Sequence, residues 1–200
     1  TAELTMALIL AMVRRVAEAD ASVRKGEWDR SRFKGAELRG RTLGLVGAGR
    51  IGGEVAKRCR AFGMGVIAYD PYLTDERAAE LQVERAEFDQ VLEQADVVSL
   101  HVPLTDSTRG IINSEAIARM KKGSFVVNVS RGGVVDEAAV GDALASGQLA
   151  GAALDVYEVE PLDADSPLRG APNLLLTPHL GASTQEAQEL VASETAEAVR

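Results

Sequence analysis

At 200 residues, 46% hydrophobic and 26% charged, the chain has the makeup of an ordinary globular protein and enough length to bury a sizeable core. A net charge of −8 argues against nucleic acid or an anionic membrane as main partner, since either needs a basic face, and no apolar run reaches the ~18 residues of a membrane span. The single cysteine, Cys59, excludes an internal disulfide, fits a reducing cytoplasm, and is expected to be a buried small hydrophobe.

From Thr1 to about Ala21, Leu4, Leu8, Ala11 and Met12 recur at helical spacing and predict a helix. The chain starts inside this pattern without Met or a basic leader, so it reads as an excised piece of a longer protein. Arg24 to Arg41 is polar and irregular yet carries Trp28 and Phe33, which need cover from either local packing or a subunit interface. Beyond Gly40, apolar strands are predicted at Thr42–Val46, Val66–Tyr69, Val97–His101, Ser124–Val129, Gly151–Asp155 and Asn173–Thr177. Helical patterns lie near Arg50–Phe62, Thr74–Leu81, Asp89–Gln94, Ser114–Met120 and Asp136–Ser146, and a last helix from about Thr184 to Arg200 opens on a Ser183-x-x-Glu186 capping box. Strands apolar throughout and separated by helices predict a doubly wound α/β domain with a parallel sheet covered on both faces.

Ligands of such a sheet bind beyond the carboxyl ends of its strands, so the residue that follows each strand carries the information. After the first come Gly47-x-Gly49-x-x-Gly52 and a helix, the pattern of a turn that holds a pyrophosphate against a helix N-terminus. Alone it does not separate a dinucleotide site from any glycine-rich turn. After the second comes Asp70, placed to accept from the adenosine ribose hydroxyls and to repel a 2′-phosphate, which favours NAD over NADP; its plainer reading is a turn residue before Pro71. His101-Val102-Pro103-Leu104-Thr105 follows the next long strand, and His101 is assigned to a cofactor-lining loop, not to catalysis. Ser130-Arg131-Gly132-Gly133 offers an arginine suited to bidentate carboxylate binding, or an ordinary surface cation. Asp155, Glu160 and Thr177-Pro178-His179-Leu180-Gly181 close the series. An imidazole there suits general acid/base work, with Glu160 as orienting partner; the blander reading of His179 is a helix-flanking residue. Neither a zinc ligand set nor a Gly-x-Ser-x-Gly elbow is present.

These stretches, in this order and over almost the whole chain, resemble the D-isomer-specific 2-hydroxyacid dehydrogenases. The resemblance implies a Rossmann-type NAD-binding domain, with 1–41 as a helix and dimerisation arm, 42–200 as the core, and the family's substrate domain absent from this chain. Arg131 would bind the substrate carboxylate, His179 would exchange the proton of the 2-hydroxyl as hydride passes to NAD, and Glu160 would hold His179. Asp155 would contact the nicotinamide carboxamide, Arg50 and Ile51 would cover the pyrophosphate, and Val102, Pro103, Val129, Ser130 and Gly181 would line the dinucleotide. The implied activity is that of a cytoplasmic, homodimeric enzyme oxidising a small 2-hydroxy acid, and Thr177–Thr184 points to D-3-phosphoglycerate, oxidised to 3-phosphohydroxypyruvate in serine synthesis. Glyoxylate or hydroxypyruvate reduction, phosphite oxidation and an NAD-sensing corepressor are the alternatives. The isolated fragment is expected to bind NAD with little or no turnover.

Overall fold

Strands that are apolar along their whole length need cover on both faces, and in the computed structural model, which describes residues 1–187, they have it. The elements in chain order are α1 (Ala2–Val13), α2 (Val16–Arg24), β1 (Thr42–Val46), α3 (Arg50–Ala61), β2 (Gly65–Tyr69), α4 (Asp75–Leu81), β3 (Glu84–Arg85) and α5 (Phe88–Gln94). They continue with β4 (Val97–Leu100), α6 (Ser114–Arg119), β5 (Ser124–Asn128), α7 (Glu137–Ser146), β6 (Leu149–Leu154) and β7 (Leu174–Leu176). The seven strands form one sheet in the order β3-β2-β1-β4-β5-β6-β7, and every pairing is parallel. Strand order reverses between β1 and β4, the crevice where such sheets take their ligands. The doubly wound fold expected from the strand and helix pattern is the fold observed.

One face of the sheet carries α1, α3 and α4, and the other carries α5, α6 and α7. The link from β6 to β7 contains only a short 3-10 turn, Pro167–Gly170, so it supplies no covering helix. Helix α1 fills that place, touching β5, β6 and β7 as well as α3. Ile9 is fully buried there, with Met6, Met12 and Val13 beside it. Burying each of these side chains contributes on the order of 2 kcal/mol, which is how the N-terminal helix becomes part of the core.

The single helix expected from Thr1 to Ala21 is two. Arg15 adopts a left-handed conformation (φ 55°) between α1 and α2, and its guanidinium bonds Glu18 (2.6 Å) and the Asn173 side chain (3.0 Å), which hold the break. Strand β3 lay outside the expected set; it is two exposed residues paired to β2. Strand β6 starts at Leu149, two residues before the expected Gly151. Cys59 is buried, its Sγ is 3.4 Å from Met6 Sδ, and burial pushes its thiol up to about 12, so it stays protonated as an apolar packing group. The expected final helix lies mostly outside the described residues. At its start the Thr184 hydroxyl, not Ser183, accepts the Ala187 amide (3.1 Å), because a turn draws the Ser183 amide back to the Leu180 carbonyl. No helix among the described residues is long and apolar enough to cross a membrane.

Candidate active site at the carboxyl edge of the sheet

The three glycines after β1 do different work. Gly47 sits at φ 96°, and a Cβ on it would run into the His101 carbonyl; a Cβ on Gly52 would run into the Gly47 carbonyl. Both are therefore required by the protein's own packing. Gly49 is not: a Cβ there would meet nothing within 4 Å. It stands as N-cap of α3 with no side-chain cap, whereas α4, α6 and α7 are capped by Thr74, Asn113 and Asp136. Open space in front of uncapped amides at a helix N-terminus is what a pyrophosphate needs, and it is the observation by which the chain fits a dinucleotide.

The remaining cofactor candidates border the same crevice. Asp70 accepts the amides of Ala48 (2.8 Å) and Tyr72 (2.9 Å). One carboxylate oxygen thus fixes the glycine turn while lone pairs remain for hydroxyl donors. The His101 ring meets Ser99 Oγ at 2.9 Å, and burial lowers its pKa to about 4, so it is neutral in the physiological range. Ile51 and Pro103 are exposed at the crevice with Arg50, Val102 is half-buried, and Val129 and Ser130 are buried.

At the end of β5, Asn128 builds the loop that carries Arg131. Its Oδ1 accepts the Ser130 amide (3.0 Å) and hydroxyl (2.7 Å), while its Nδ2 donates to the Arg131 carbonyl (3.0 Å). Arg131 is exposed and rests one guanidinium nitrogen on the Ser130 carbonyl (2.6 Å). Gly132 lies so close to the Tyr157 carbonyl that a Cβ would overlap it, which packs the arginine loop against the loop after β6.

His179 and Glu160 are brought together: Nδ1 of the one lies 2.7 Å from Oε2 of the other, with both side chains partly open to solvent. The bond to His179, helped by the Tyr157 amide, holds the Glu160 carboxyl below its ordinary range, so Glu160 is ionised at neutral pH. An ionised Glu160 accepts from Nδ1–H and leaves Nε2 to take or return a proton. No bond joins Arg131 to this pair; the contact of their loops places them at the same edge.

Asp155 is fully buried, and its carboxylate accepts from Thr177 Oγ1 (2.6 Å) and the amides of Leu180 (2.8 Å) and Gly181 (2.9 Å). Its carbonyl also accepts the His179 amide (2.9 Å). Three of its roughly four lone-pair sites thus bind its own chain, leaving about one for a further donor. The geometry gives Asp155 the task of shaping the loop that presents His179. Tyr157 and Thr177 share that work, as Asn128 does for the Arg131 loop, and none of the three was singled out as a site residue in the sequence. Thr1 at the head of α1 also donates to the Gly181 carbonyl (2.7 Å).

A family model described as D-isomer specific 2-hydroxyacid dehydrogenase, NAD binding domain, matches residues 6–181. The chain is 51% identical over 199 residues to D-3-phosphoglycerate dehydrogenase of Bacillus subtilis (strain 168), covering all of this chain but 38% of that protein. Among solved structures, D-lactate dehydrogenase from Aquifex aeolicus complexed with NAD and lactic acid superposes with a TM-score of 0.90 at 34% identity, over 99% of this chain and 64% of that one. A glyoxylate reductase from Paecilomyes thermophila gives a TM-score of 0.87 at 39% identity, over 94% and 57% of the two chains.

Proposed function

Since this chain belongs to the D-isomer-specific 2-hydroxyacid dehydrogenases, as an NAD-binding domain, we propose that the whole protein oxidises a small 2-hydroxy acid, D-3-phosphoglycerate to 3-phosphohydroxypyruvate, as a cytoplasmic enzyme of serine synthesis. The observation that carries the reading is the 2.7 Å bond between His179 Nδ1 and Glu160 Oε2 at the sheet edge that also holds the glycine turn. NAD supplies the hydride acceptor; the chain's side chains manage charge and one proton. Gly47, Gly49 and Gly52, with Arg50 and Ile51, hold the pyrophosphate, Asp70 the adenosine ribose, and His101, Val102, Pro103, Val129, Ser130 and Gly181 line the groove. Arg131 leaves the Ser130 carbonyl and grips the substrate carboxylate with its guanidinium fork. His179 Nε2 takes the hydroxyl proton as hydride departs, and ionised Glu160 stabilises the imidazolium that results. Substrate contacts beyond these belong to parts of the protein outside this chain, which spans 38% of the Bacillus relative. The arm before β1 serves a homodimer, in support of which Trp28 is 82% exposed and has no cover among the described residues.

His179→Ala in the full-length protein tests the reading. Loss of a general base costs about 10²–10⁴ in kcat, with NAD affinity retained. Turnover within twofold of the parent sinks the assignment. The glyoxylate reductase likeness favours a second substrate, so kinetics with D-3-phosphoglycerate against glycerate, lactate and glyoxylate separate the two.

A further inference from the structure

Tyr157 bonds to Glu160 through its backbone amide and to the loop that carries His179 through its hydroxyl. Its backbone amide donates to Glu160 Oε1 at 3.0 Å, which turns the other oxygen, Oε2, toward His179. Its hydroxyl lies 2.8 Å from the Thr177 carbonyl and 3.1 Å from the Leu154 carbonyl. A hydroxyl has one proton, and the shorter distance assigns it mainly to Thr177. The Leu154 carbonyl already accepts the Thr177 amide (3.0 Å), so it does not depend on the tyrosine.

The Thr177 carbonyl matters because it also receives the His179 amide, at 3.1 Å. His179 is held at φ 55°, a left-handed conformation that is unfavourable for a side-chain-bearing residue and persists only where the surroundings impose it. Asp155 imposes it from the side of β6, through the His179, Leu180 and Gly181 amides. Tyr157 fixes the segment two residues upstream. The ring is 7% exposed, packed with Leu154 and Leu168, and burial pushes the phenol up to about 12, so it remains a donor at any working pH.

We propose that Tyr157 is a positioning residue for proton transfer, its amide setting the Glu160 carboxylate and its hydroxyl setting the His179 loop, so that the two partners are registered through one residue. This rests on the reading of Glu160 and His179 as the proton-transferring pair. The hydroxyl half is separable, because phenylalanine fills the same space and keeps the amide.

The experiment is Tyr157→Phe in the full-length protein, with two readouts. The first is kcat, KM and NAD affinity. The second is the imidazole Nδ1–H resonance of His179, assigned as the signal that His179→Ala removes. With other tethers intact, the expected loss is about tenfold in kcat, less than the ~10²-fold of a 1 Å displacement, with NAD affinity within about twofold. The Nδ1–H proton should exchange with water about tenfold faster. An unchanged imidazole signal overturns the proposal whatever the activity, since the hydroxyl then serves stability alone. Unchanged kcat in an active protein also overturns it. If the parent turns over no 2-hydroxy acid, the functional reading fails, and the imidazole signal still decides whether Tyr157 sets the pair.

Discussion

His101 shows how one side chain ties cofactor crevice to stability. Its carbonyl lies against Gly47 in the glycine turn, its imidazole meets Ser99 Oγ (2.9 Å), and burial holds its pKa at about 4. In the unfolded chain a histidine titrates near ~6.5. Between those values the unfolded state binds the extra proton, so stability is fully present above pH ~6.5 and falls as pH drops toward 4. The full difference is roughly 3 kcal/mol at most. Urea unfolding from pH 7.5 to 4 therefore expects a steeper acid loss in the parent than in His101→Gln, and parallel curves would remove the buried imidazole as its cause. Glu160 works in the same direction but lower in pH. Its carboxyl is held below the ordinary range by His179, so its contribution survives until pH falls through that lowered value.

The turn from β1 into α3 is the element on which cofactor binding depends, and its glycines can be told apart by substitution. Gly52→Ala drives a Cβ into the Gly47 carbonyl and should cost several kcal/mol or prevent folding. Gly49→Ala meets no protein atom within 4 Å, and its backbone (φ −67°, ψ −158°) suits alanine. It should change stability by no more than about 1 kcal/mol while weakening NAD by about tenfold or more, equivalent to ~1.4 kcal/mol. Calorimetric titration beside urea unfolding reads both, and full NAD affinity in Gly49→Ala would deny the pyrophosphate its place there. This element was legible in the sequence because glycine spacing and the onset of a helical pattern are local. So were the strands, since β4 and β5 are buried along their whole length and are mostly apolar, with only Ser99 inside β4 and Ser124 and Asn128 at the ends of β5. Strand β3 was not: Glu84–Arg85 is exposed and is held by pairing to Ile67 and Ala68 and by the ion pair of Arg85 with Asp75, none of which is local in sequence. The break between α1 and α2 was hidden as well, since Arg15 is neither glycine nor proline and is stabilised by Asn173, 158 residues away. The chemical residues at strand ends could be read, but the clasp around His179 could not. Tyr157, Thr177 and Asp155 meet only after β6 and β7 are paired.

At the scale of the molecule, α1 closes the face that the β6–β7 link leaves bare, so its arm leaves from the core at a fixed point. The Ala36 amide bonds the Val13 carbonyl (2.8 Å), Leu38 is buried, and Phe33 lies under the Arg32 guanidinium (5.6 Å). Trp28, at 82% exposure, is held by none of these. Large aromatic side chains are enriched at interfaces and gain most from being covered there. Arg131 and His179 are themselves exposed at the sheet edge, where turnover needs water excluded and a substrate positioned from the far side. One preparation of the 200 residues tests both consequences. It is expected to bind NAD, to turn over 2-hydroxy acids at least ~10²-fold more slowly than the full-length protein, and to sediment as a dimer. Because Trp28 is the only tryptophan, its fluorescence reports on the arm alone, and emission should shift to the blue as concentration carries the chain from monomer to dimer. A concentration-independent, water-like emission would detach the arm from dimerisation. Full turnover by the 200 residues would place every substrate contact within this chain and remove the need for a second domain.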